Sequence, residues 1–375
     1  MCIRIFSVLF VRIFQYFTYN VLFKLISHLS YDRISLSNLY KGVVNIKITI
    51  KDVAKDTGLS IGTISKYINN IPIQEKNKLK IEESIKKLNY IPNTTAQHLR
   101  SKSSNTICIL IPDIGSYIWG KTCNAILACM ERYNYSVIIR SYSKSTMYKQ
   151  DIPFLISKQI DGVILFADYI ISDEFISLIQ ENEIPLVCIN QKPGLKADYV
   201  STSHFESAYN ATNHLIQQGH KSITVLGIES HSSLECEAGF ISACDEKKLN
   251  LENQNLIFFK NIKELTKNTS PEDALNKLAK AKKTTALLLL DYHTTMYFVS
   301  SHKIMNNYSI ISLTDDEILS ALNPPITVLE PDYTSLGKNI TTLLIQRISG
   351  DYKDFPKTIL CPSIFHKRES VKNIT

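Results

Sequence analysis

The sequence predicts an α/β protein in two parts: a short N-terminal helical module, and a larger core of parallel sheets flanked by helices. Residues 49–99 contain capped helical segments at close spacing. Beyond residue 105, apolar strand-like runs alternate with helical segments, a pattern typical of parallel sheets covered on both faces. The core has about 270 residues, more than one compact core usually holds, so two lobes are expected.

The first helix is predicted from its end signals. Thr49 is a good N-cap, and Asp52 three residues later completes a capping box. Ile50 and Val53 then follow at helical spacing. Gly58 ends the helix, because glycine readily takes the positive φ of a helix C-terminus.

The second helix begins almost at once. Only Leu59 and Ser60 follow the glycine, and Ser60 caps a helix whose buried face is Ile64 and Ile68. Two helices joined by a tight turn containing glycine are typical of the helix-turn-helix of DNA-binding proteins. The second helix is then the reading helix, with Ile61, Gly62 and Lys66 towards the bases. An ordinary surface helical hairpin is the alternative.

A third helix is predicted over residues 74–89, where Ile81, Ile85 and Leu88 form one apolar stripe. Pro92 then forces a break, because it excludes helical geometry from the residue before it.

Asn93 can cap a short segment that holds Ala96 and Leu99. A helix of this length is not stable alone in water. We expect it to fold when it packs against a second subunit and DNA.

The stretch resembles the DNA-binding domain of the lactose-repressor (LacI/GalR) family of bacterial transcription regulators. The matching residues are Thr49-Ile50-Lys51-Asp52-Val53-Ala54, Gly58-Leu59-Ser60, Thr63-Ile64-Ser65, Asn69, Leu88-Asn89-Tyr90-Ile91-Pro92-Asn93, Ala96 and Leu99. The resemblance extends from residue 47 to about residue 370 and is strongest in the first fifty residues.

The resemblance implies a set of DNA contacts: Thr49, Ser60, Ile61, Gly62, Thr63, Ser65, Lys66, Asn69, Tyr90, Asn93, Ala96 and Leu99. In that family a hinge leucine enters the minor groove, and Leu99 stands at its position. Such an apolar wedge opens a base step and kinks the duplex. Many members have Arg where this chain has Lys66, which lacks the planar fork that reads guanine.

The charge distribution agrees with a DNA-binding module. Residues 47–102 carry a net charge of +6, whereas residues 103–375 carry −3 and residues 1–46 carry +4. Positive charge in the helical module is what neutralisation of phosphates requires. A solvated basic surface is the alternative interpretation.

The core shows eight strand-like runs: 106–111, 135–140, 162–166, 186–189, 222–226, 256–259, 286–290 and 310–313. Helical patterns lie between them at 123–131, 175–182, 207–218 and 238–247. Two such sheets in series with a ligand between them form the periplasmic-binding-protein-like fold, which the resemblance also implies. Residues 160–164, 218–223 and 324–327 and Gly337 match the family here.

Ligands of parallel sheets bind at the carboxyl ends of the strands. That rule, together with the family's effector positions, selects Ser116, Tyr117, Trp119, Tyr142, Asp168, Cys236, Asp291 and Asp315. The expected effector is a small molecule such as a sugar, since rings stack on sugar faces and carboxylates accept from hydroxyls. For each residue alone, a structural or surface role is an equal alternative.

Three departures from the family fall in this region. Cys236 stands where an Arg is frequent, Asp291-Tyr292 replaces a common Asn-Asp, and Glu330 begins a string where a Gln is frequent. Loss of the cationic anchor points to an unusual effector or to none.

Other chemistry finds no support in the sequence. The eight cysteines include no CxxC pair, and the histidines do not lie at metal-ligand spacing, so no metal or cofactor is assigned. Reduced thiols in a cytoplasmic, nucleoid-associated protein are the simplest reading. No nucleophile elbow, P-loop or isolated acid/base pair is found, so we do not expect an enzyme.

Residues 1–46 form an extension before the helical module. The first 43 residues are apolar and lightly basic, but Arg12 and Lys24 limit the longest uncharged run there to eleven residues, short of a membrane span. The extension could be untranslated sequence upstream of the true start, a membrane-surface anchor or an export signal. We favour the first, because chains of the family that the sequence resembles normally begin just before Thr49. Export would also take the helix-turn-helix away from DNA.

The expected organisation is therefore an extension (1–46), a helix-turn-helix DNA-binding domain with hinge helix (47–102) and an effector-binding and dimerisation core (103–370). The expected function is a dimeric transcription regulator, most simply a repressor, on a near-palindromic operator. The alternative is a membrane-anchored extracytoplasmic solute-binding protein, which shares the core fold but has no use for residues 49–99.

Overall fold

A computed structural model describes residues 48–68, 71–90, 103–143, 150–167, 173–190, 196–250, 255–267, 270–278 and 284–375. The chain forms two compact units, Met1–Thr94 and Thr95–Thr375.

The described residues of the first unit form three helices: α1 (Ile50–Thr57), α2 (Ile61–Ile68) and α3 (Glu75–Leu88). Each contributes apolar side chains to one small core. Val53, Ile64 and Ile81 are fully buried there, and Tyr90 closes it behind α3. The predicted apolar stripes of all three helices are confirmed, since Ile68, Ile85 and Leu88 pack against the same core.

The caps of α1 form as predicted. The backbone N–H of Thr49 donates to Asp52 Oδ2 over 2.8 Å, and the N–H of Asp52 donates to the carbonyl of Thr49 over 3.0 Å. Gly58 ends α1 with φ 68°, and its N–H donates to the carbonyl of Ala54. These contacts satisfy backbone groups that the helix itself leaves unpaired.

In the part of the second unit that the structure describes, there are twelve strands: β1 (Thr106–Ile111), β2 (Ser136–Ser141), β3 (Gly162–Phe166), β4 (Leu186–Ile189), β5 (Asp198–Thr202), β6 (Ile223–Ile228), β7 (Asn255–Phe259), β8 (Ala286–Leu289), β9 (Ser309–Ser312), β10 (Thr327–Pro331), β11 (Thr358–Cys361) and β12 (Ser363–His366). They form two six-stranded sheets, in the orders β11-β5-β4-β3-β1-β2 and β12-β10-β9-β8-β6-β7. Every pairing is parallel except β10 with β12.

The helices of this unit are α4 (Tyr117–Met130), α5 (Ile152–Ser157), α6 (Asp173–Glu181), α7 (His204–Gln217), α8 (His231–Glu246), α9 (Ile262–Leu265), α10 (Pro271–Leu278), α11 (Tyr292–Val299), α12 (His302–Asn307), α13 (Glu317–Ala321) and α14 (Tyr333–Ile348). We call the first sheet with α4, α5, α6 and α14 lobe 1, and the second sheet with the other helices lobe 2. Helices cover both faces of each sheet, which gives two core layers per lobe.

The chain crosses between the lobes three times. It leaves lobe 1 after β5, returns after β10 and leaves again after β11. The N–H of Ser203 donates to the carbonyl of Cys361 over 3.0 Å, and the N–H of Asp332 donates to that of Pro362 over 3.1 Å. These bonds tie the crossings to one another and form a hinge.

The two-lobed fold class is confirmed, and each of the eight predicted runs overlaps a strand. Four strands were not predicted. β5 is polar at both ends, and β10 ends in Glu330 and a proline. β11 and β12 are four-residue edge strands with partly exposed side chains. Such strands carry no continuous apolar run, so their composition does not distinguish them from loops.

An ion pair fixes α14 to the sheet of lobe 1. Arg347 donates through Nε to Asp198 Oδ2 over 2.7 Å and through Nη2 to Oδ1 over 3.0 Å. Both side chains are buried. Removing one partner would leave an uncompensated buried charge, so α14 is held in place.

Two glycines allow close helix packing. A Cβ at Gly239 on α8 would lie 2.2 Å from the carbonyl oxygen of Phe205 at the start of α7. A Cβ at Gly337 on α14 would lie 2.7 Å from Ala125 on α4. Each helix pair therefore approaches more closely than any side chain at these positions permits.

We predict that Gly239→Ala lowers the free energy of unfolding by about 1–3 kcal/mol, because the added methyl group forces α7 and α8 apart. Gly120→Ala on α4 is the control, since a Cβ there meets nothing within 4 Å. It should stabilise by about 0.5–1 kcal/mol through helix propensity. Urea unfolding followed by circular dichroism measures both, and equal midpoints would contradict the packing argument.

Candidate functional site

The outer face of α2 presents the side chains predicted to read DNA. Ile61, Gly62 and Lys66 are exposed, whereas Ile64 points into the core. Ile61 and Gly62 occupy the first turn, which enters the major groove in helix-turn-helix proteins. The face therefore offers one apolar side chain, one position without a side chain and one cation.

Hydroxyl groups surround the N-terminus of α2. The N–H of Thr63 donates to Ser60 Oγ over 3.2 Å, and the two hydroxyl oxygens lie 3.0 Å apart. Thr49 is exposed, and its hydroxyl donates to Asp52. Ser65 is half-buried on α2. Free amides and hydroxyls at a helix N-terminus are suited to binding a phosphate.

Two contacts fix the orientation of α1 and α2 against α3. Lys87 Nζ lies 2.7 Å from Asp56 Oδ1, and the hydroxyl of Tyr67 donates to Glu82 over 3.1 Å. The hydrogen bond from Lys87 lowers the pKa of Asp56. Tyr90, predicted to contact DNA, is only 7% exposed and belongs to the core of the unit.

Several predicted residues lie outside the described residues: Asn69, Asn93, Ala96 and Leu99 of the DNA-contact set, and Asp168 of the effector set. The extension 1–46 also lies outside them.

A cavity of about 450 Å³ lies between the two lobes of the second unit. We call it the cleft. Its walls come from the carboxyl ends of strands in both sheets and from the N-termini of the helices that follow them. Five predicted effector residues line it: Ser116, Tyr117, Trp119, Cys236 and Asp291.

Two predicted effector residues are not among the residues that line the cleft. Tyr142 is 4% exposed, and its hydroxyl donates to the carbonyl of Phe166 over 2.6 Å, so it supports the core of lobe 1. Asp315 accepts from Arg368 Nη1 over 2.8 Å and from Nη2 over 2.5 Å. Both follow strands as the rule requires, but their side chains are engaged elsewhere.

Asp291 lines the cleft, yet its carboxylate is used structurally. It accepts from the N–H of Thr294 over 2.9 Å, from the Thr294 hydroxyl over 2.7 Å and from the N–H of Ile228 over 2.8 Å. It therefore caps α11 and holds the end of β6. These bonds occupy both carboxylate oxygens, so a ligand finds them already engaged.

Cys236 provides no charge to the cleft. It is 2% exposed, and its Sγ lies 3.7 Å from the carbonyl oxygen of His204. Burial, with the charges of Glu235 and Asp291, raises the pKa of the thiol to about 12. The side chain is thus a neutral thiol, where an Arg would place a cation.

Aromatic rings form one wall of the cleft. Tyr117 of lobe 1 stacks on Tyr292 of lobe 2, with centroids 5.0 Å apart and planes at 20°. Trp119 lies against Phe166, with centroids 5.5 Å apart. These rings offer flat apolar faces of the kind on which a sugar or a base stacks.

Sequence reasoning missed further cleft residues, among them Asn190, Thr202, His204, Ser207, Glu229, Ser230, Ser232, Lys260, Asn261, Tyr292 and His293. Most of these residues lie at or just after the carboxyl end of a strand. The rule that ligands bind at the carboxyl ends of parallel strands was applied to the first three strands, and applying it to the later strands would have found these residues. His204 follows β5, the strand that carried no apolar signal. The cleft is lined mainly by hydroxyl, amide and imidazole groups, with Lys260 among its few charged side chains.

The His204 ring is neutral at physiological pH. Burial lowers its pKa to about 4, and the nearby His231 adds to the effect. A neutral imidazole can donate from one nitrogen and accept at the other. It therefore suits a ligand with hydroxyl or amide groups.

One group of possible metal ligands occurs among the described residues. Oxygen and nitrogen atoms of Asp315, Glu330 and His366 lie within 4.8 Å of one another. Arg368 already binds Asp315, and Lys121 Nζ lies 3.0 Å from Glu330 Oε2. The two cations compensate both carboxylates, so this group is an ion-pair network.

Within the described ranges, we find no helix that has both the length and the apolar character needed to cross a membrane.

The sequence matches known families along most of its length. Residues 49–93 match the family described as bacterial regulatory proteins, lacI family. Residues 104–261 match the periplasmic binding proteins and sugar binding domain of LacI family, and residues 212–371 match a periplasmic binding protein-like domain.

Related proteins are similar over nearly their whole length. Catabolite control protein A of Staphylococcus xylosus is 30% identical over 329 residues, which cover 84% of this chain and 96% of that protein. The HTH-type transcriptional regulator RegA of Clostridium saccharobutylicum is 25% identical over 335 residues, 86% of this chain and 99% of that protein.

Solved structures share the fold. A lac repressor dimer bound to operator and the anti-inducer ONPF has a TM-score of 0.73 at 21% identity, covering 87% of this chain and 99% of that one. A LacI family regulator from Enterococcus faecium with bound ribose has a TM-score of 0.61 at 21% identity, and the match covers 72% of this chain and 100% of that one. A CelR–cellobiose complex has a TM-score of 0.61 at 16% identity, covering 86% and 99%.

We predict that stability falls as pH falls from about 6.5 towards 4, in part because of His204. An unfolded histidine titrates near pH 6.5, whereas folded His204 titrates at about 4. Between these values only the unfolded chain takes up this proton, so the stabilisation is complete above the upper value and is lost towards the lower one.

His204→Gln should therefore flatten the decline of the urea midpoint between about pH 7 and pH 4.5. His302→Gln, which changes an exposed histidine, is the control and should leave the decline as in the wild type. If the urea midpoint of His204→Gln declines with pH as steeply as that of the wild type, burial of this ring does not couple its protonation to stability.

Proposed function

The chain belongs to the LacI family of bacterial regulatory proteins, and from that premise we propose that it acts as a dimer on a near-palindromic operator, under control of a small polar effector. Its full-length relatives are transcription regulators and not enzymes. Repression is the simplest mode of action, because a dimer bound to an operator blocks access to the promoter. The observation that carries the proposal is the capped helix pair, with its exposed reading face on α2.

We assign the functions to three parts of the chain. Residues 47–102 bind DNA, residues 103–370 bind the effector and dimerise, and residues 1–46 are not needed for either. The basic charge of residues 47–102 supports the first assignment. The cleft supports the second.

The contacts of α2 with DNA divide into two kinds. Ile61 offers an apolar surface to a thymine methyl group, and Lys66 donates to a guanine or a phosphate. Ser60 and Thr63, together with the first amides of α2, bind phosphate and set the position of the helix. Gly62 lets the backbone approach the bases closely.

The hinge leucine is proposed from its family position. Leu99 enters the minor groove at the operator centre, with Ala96 beside it, and bends the DNA. Two hinges meet there only in a dimer, which agrees with the lac repressor dimer bound to operator among the structural neighbours. Thr49, Ser65, Asn69 and Asn93 complete the proposed contact set. Tyr90 acts through the core that it closes.

The effector is proposed to be a neutral molecule rich in hydroxyl groups, such as a sugar. Hydroxyl and amide side chains line the cleft, and Tyr117 and Tyr292 provide stacking faces. The structural neighbours with bound ribose and cellobiose agree with this class. Because the thiol of Cys236 is neutral, the cleft lacks the cation that would anchor a phosphate at that position.

The alternative, an extracytoplasmic solute-binding protein, explains the cleft but not the first unit. A solute-binding protein has no use for Thr49 and Gly58 as caps of a helix-turn-helix, nor for the match of residues 49–93.

We predict that Lys66→Ala weakens binding to an operator fragment, selected by the protein from random DNA, by about ten-fold or more. Lys80→Ala is the matched control, because it removes the same charge from an exposed position on α3 instead of α2. Its effect should be at least about three-fold smaller. Fluorescence anisotropy over a range of salt concentrations measures both affinity and salt slope. Equal losses for the two variants would argue against α2 as the reading helix.

We predict that a neutral sugar changes the fluorescence of Trp119, the only tryptophan, and the operator affinity together. The two effects are linked, because a ligand that favours one arrangement of the lobes must couple reciprocally to DNA. The panel contains neutral sugars, sugar phosphates and nucleobases. Cys236→Arg should weaken the response to the neutral sugar, and Cys236→Ser, which keeps the size and neutrality, should preserve it.

Tight binding of a sugar phosphate by the wild type would overturn the argument from Cys236. Absence of any response across the panel would favour a regulator without a small-molecule effector.

A further inference from the structure

Side-chain contacts join the two lobes across the cleft, apart from the hinge crossings. Ser232 Oγ of lobe 2 donates to Asn190 Oδ1 of lobe 1 over 3.2 Å. Tyr117 stacks on Tyr292. The strongest contact comes from Lys121 on α4, which reaches from lobe 1 to two acceptors of lobe 2.

Two oxygen acceptors and two aromatic rings surround the ammonium group of Lys121. Its Nζ donates to Glu330 Oε2 over 3.0 Å and to the carbonyl oxygen of Asp315 over 3.0 Å. The same nitrogen lies 5.1 Å from the ring centroid of Tyr117 and 5.2 Å from that of Tyr333. Its side chain is 31% exposed and that of Glu330 is 16% exposed, so solvent screens this pair less than a surface pair. Charge-assisted hydrogen bonds and two ring faces stabilise the ammonium group together.

The acceptors in lobe 2 are fixed before Lys121 reaches them. Arg368 binds the carboxylate of Asp315 through two nitrogens and also donates to the carbonyl of Ile326 over 2.8 Å. His366 Nε2 lies 3.2 Å from Glu330 Oε1. These bonds order the groups that receive Lys121, so closing the lobes costs little additional side-chain entropy.

The position of these groups in the chain is relevant to hinge motion. Glu330 lies on β10, one residue before the strand ends at the second crossing, and His366 ends β12 after the third. Lys121 lies on α4, in the same helix as Tyr117 and Trp119 of the cleft wall. One side chain thus connects the cleft wall of lobe 1 to the hinge strands of lobe 2.

We propose that Lys121 is an interlobe latch: its bridge to Glu330 and to the Asp315 carbonyl holds the lobes closed, and release of the bridge opens the cleft. Tyr117 lines the cleft, and its ring centroid lies 5.1 Å from the ammonium nitrogen. A ligand that moves Tyr117 away from Tyr292 therefore also changes the environment of Lys121. This coupling to the ligand rests on the proposed effector function, whereas the latch itself does not.

Acrylamide quenching of Trp119 in the full chain tests the latch without DNA or effector. Trp119 is 9% exposed and lines the cleft, so opening exposes it to the quencher. Lys121→Met keeps an unbranched apolar stem but removes the bridge, and should raise the quenching constant about two-fold or more. Glu330→Gln should raise it as well. The double variant should be no more open than Lys121→Met, because Lys121→Met already removes the bridge that Glu330→Gln weakens.

Lys338→Met is the control, since it removes an exposed lysine from α14 of the same lobe. Its quenching constant for Trp119 should equal that of the wild type. Circular dichroism at the same temperature checks that each variant is folded. If Lys121→Met does not fold, the quenching of Glu330→Gln tests the latch instead. Wild-type quenching in a folded Lys121→Met or Glu330→Gln variant would overturn the latch.

Discussion

The three chain crossings between the lobes, hydrogen-bonded to one another, are the constraint on which the cleft depends. Ser203 bonds to Cys361 and Asp332 bonds to Pro362, so the crossings cannot move independently. Ser203 also caps α7 and Asp332 caps α14, which makes each of these crossings the start of a helix. Two rigid lobes joined in this way can rotate about the hinge, and the cleft opens or closes as a whole.

The position of the cleft follows from burial of the strands. Parallel strands are connected through helices that cover the faces of their sheet, which places the carboxyl ends of these strands on one edge. Side chains at that edge are free of the core and can be polar. Asn190, Lys260 and Tyr292 follow three different strands, and all three line the cleft. Lobe closure through Lys121 and ligand binding in the cleft therefore depend on the same edge of each sheet.

The sequence predicted local features more accurately than distant ones. The bounds of α1 and the start of α2 follow from Thr49, Gly58 and Ser60, because caps act within one turn. The central strands were found from apolar runs. β11 and β12 were missed, because their pairing depends on partners far along the chain. Tyr142 was assigned to the cleft from its place after a strand, and Asp315 from the family's effector positions. The direction of each side chain depends on partners such as Arg368 that no spacing reveals.

The proposed function depends on sequence-specific recognition of DNA by the first unit. The most direct measurement is sequencing of genomic fragments that the purified full chain retains at physiological salt, compared with the input. If a dimer recognises its operator in this way, retained fragments share one inverted repeat, with two similar half-sites placed symmetrically about its centre. Retained fragments that share no motif, and match the input in composition, would contradict it.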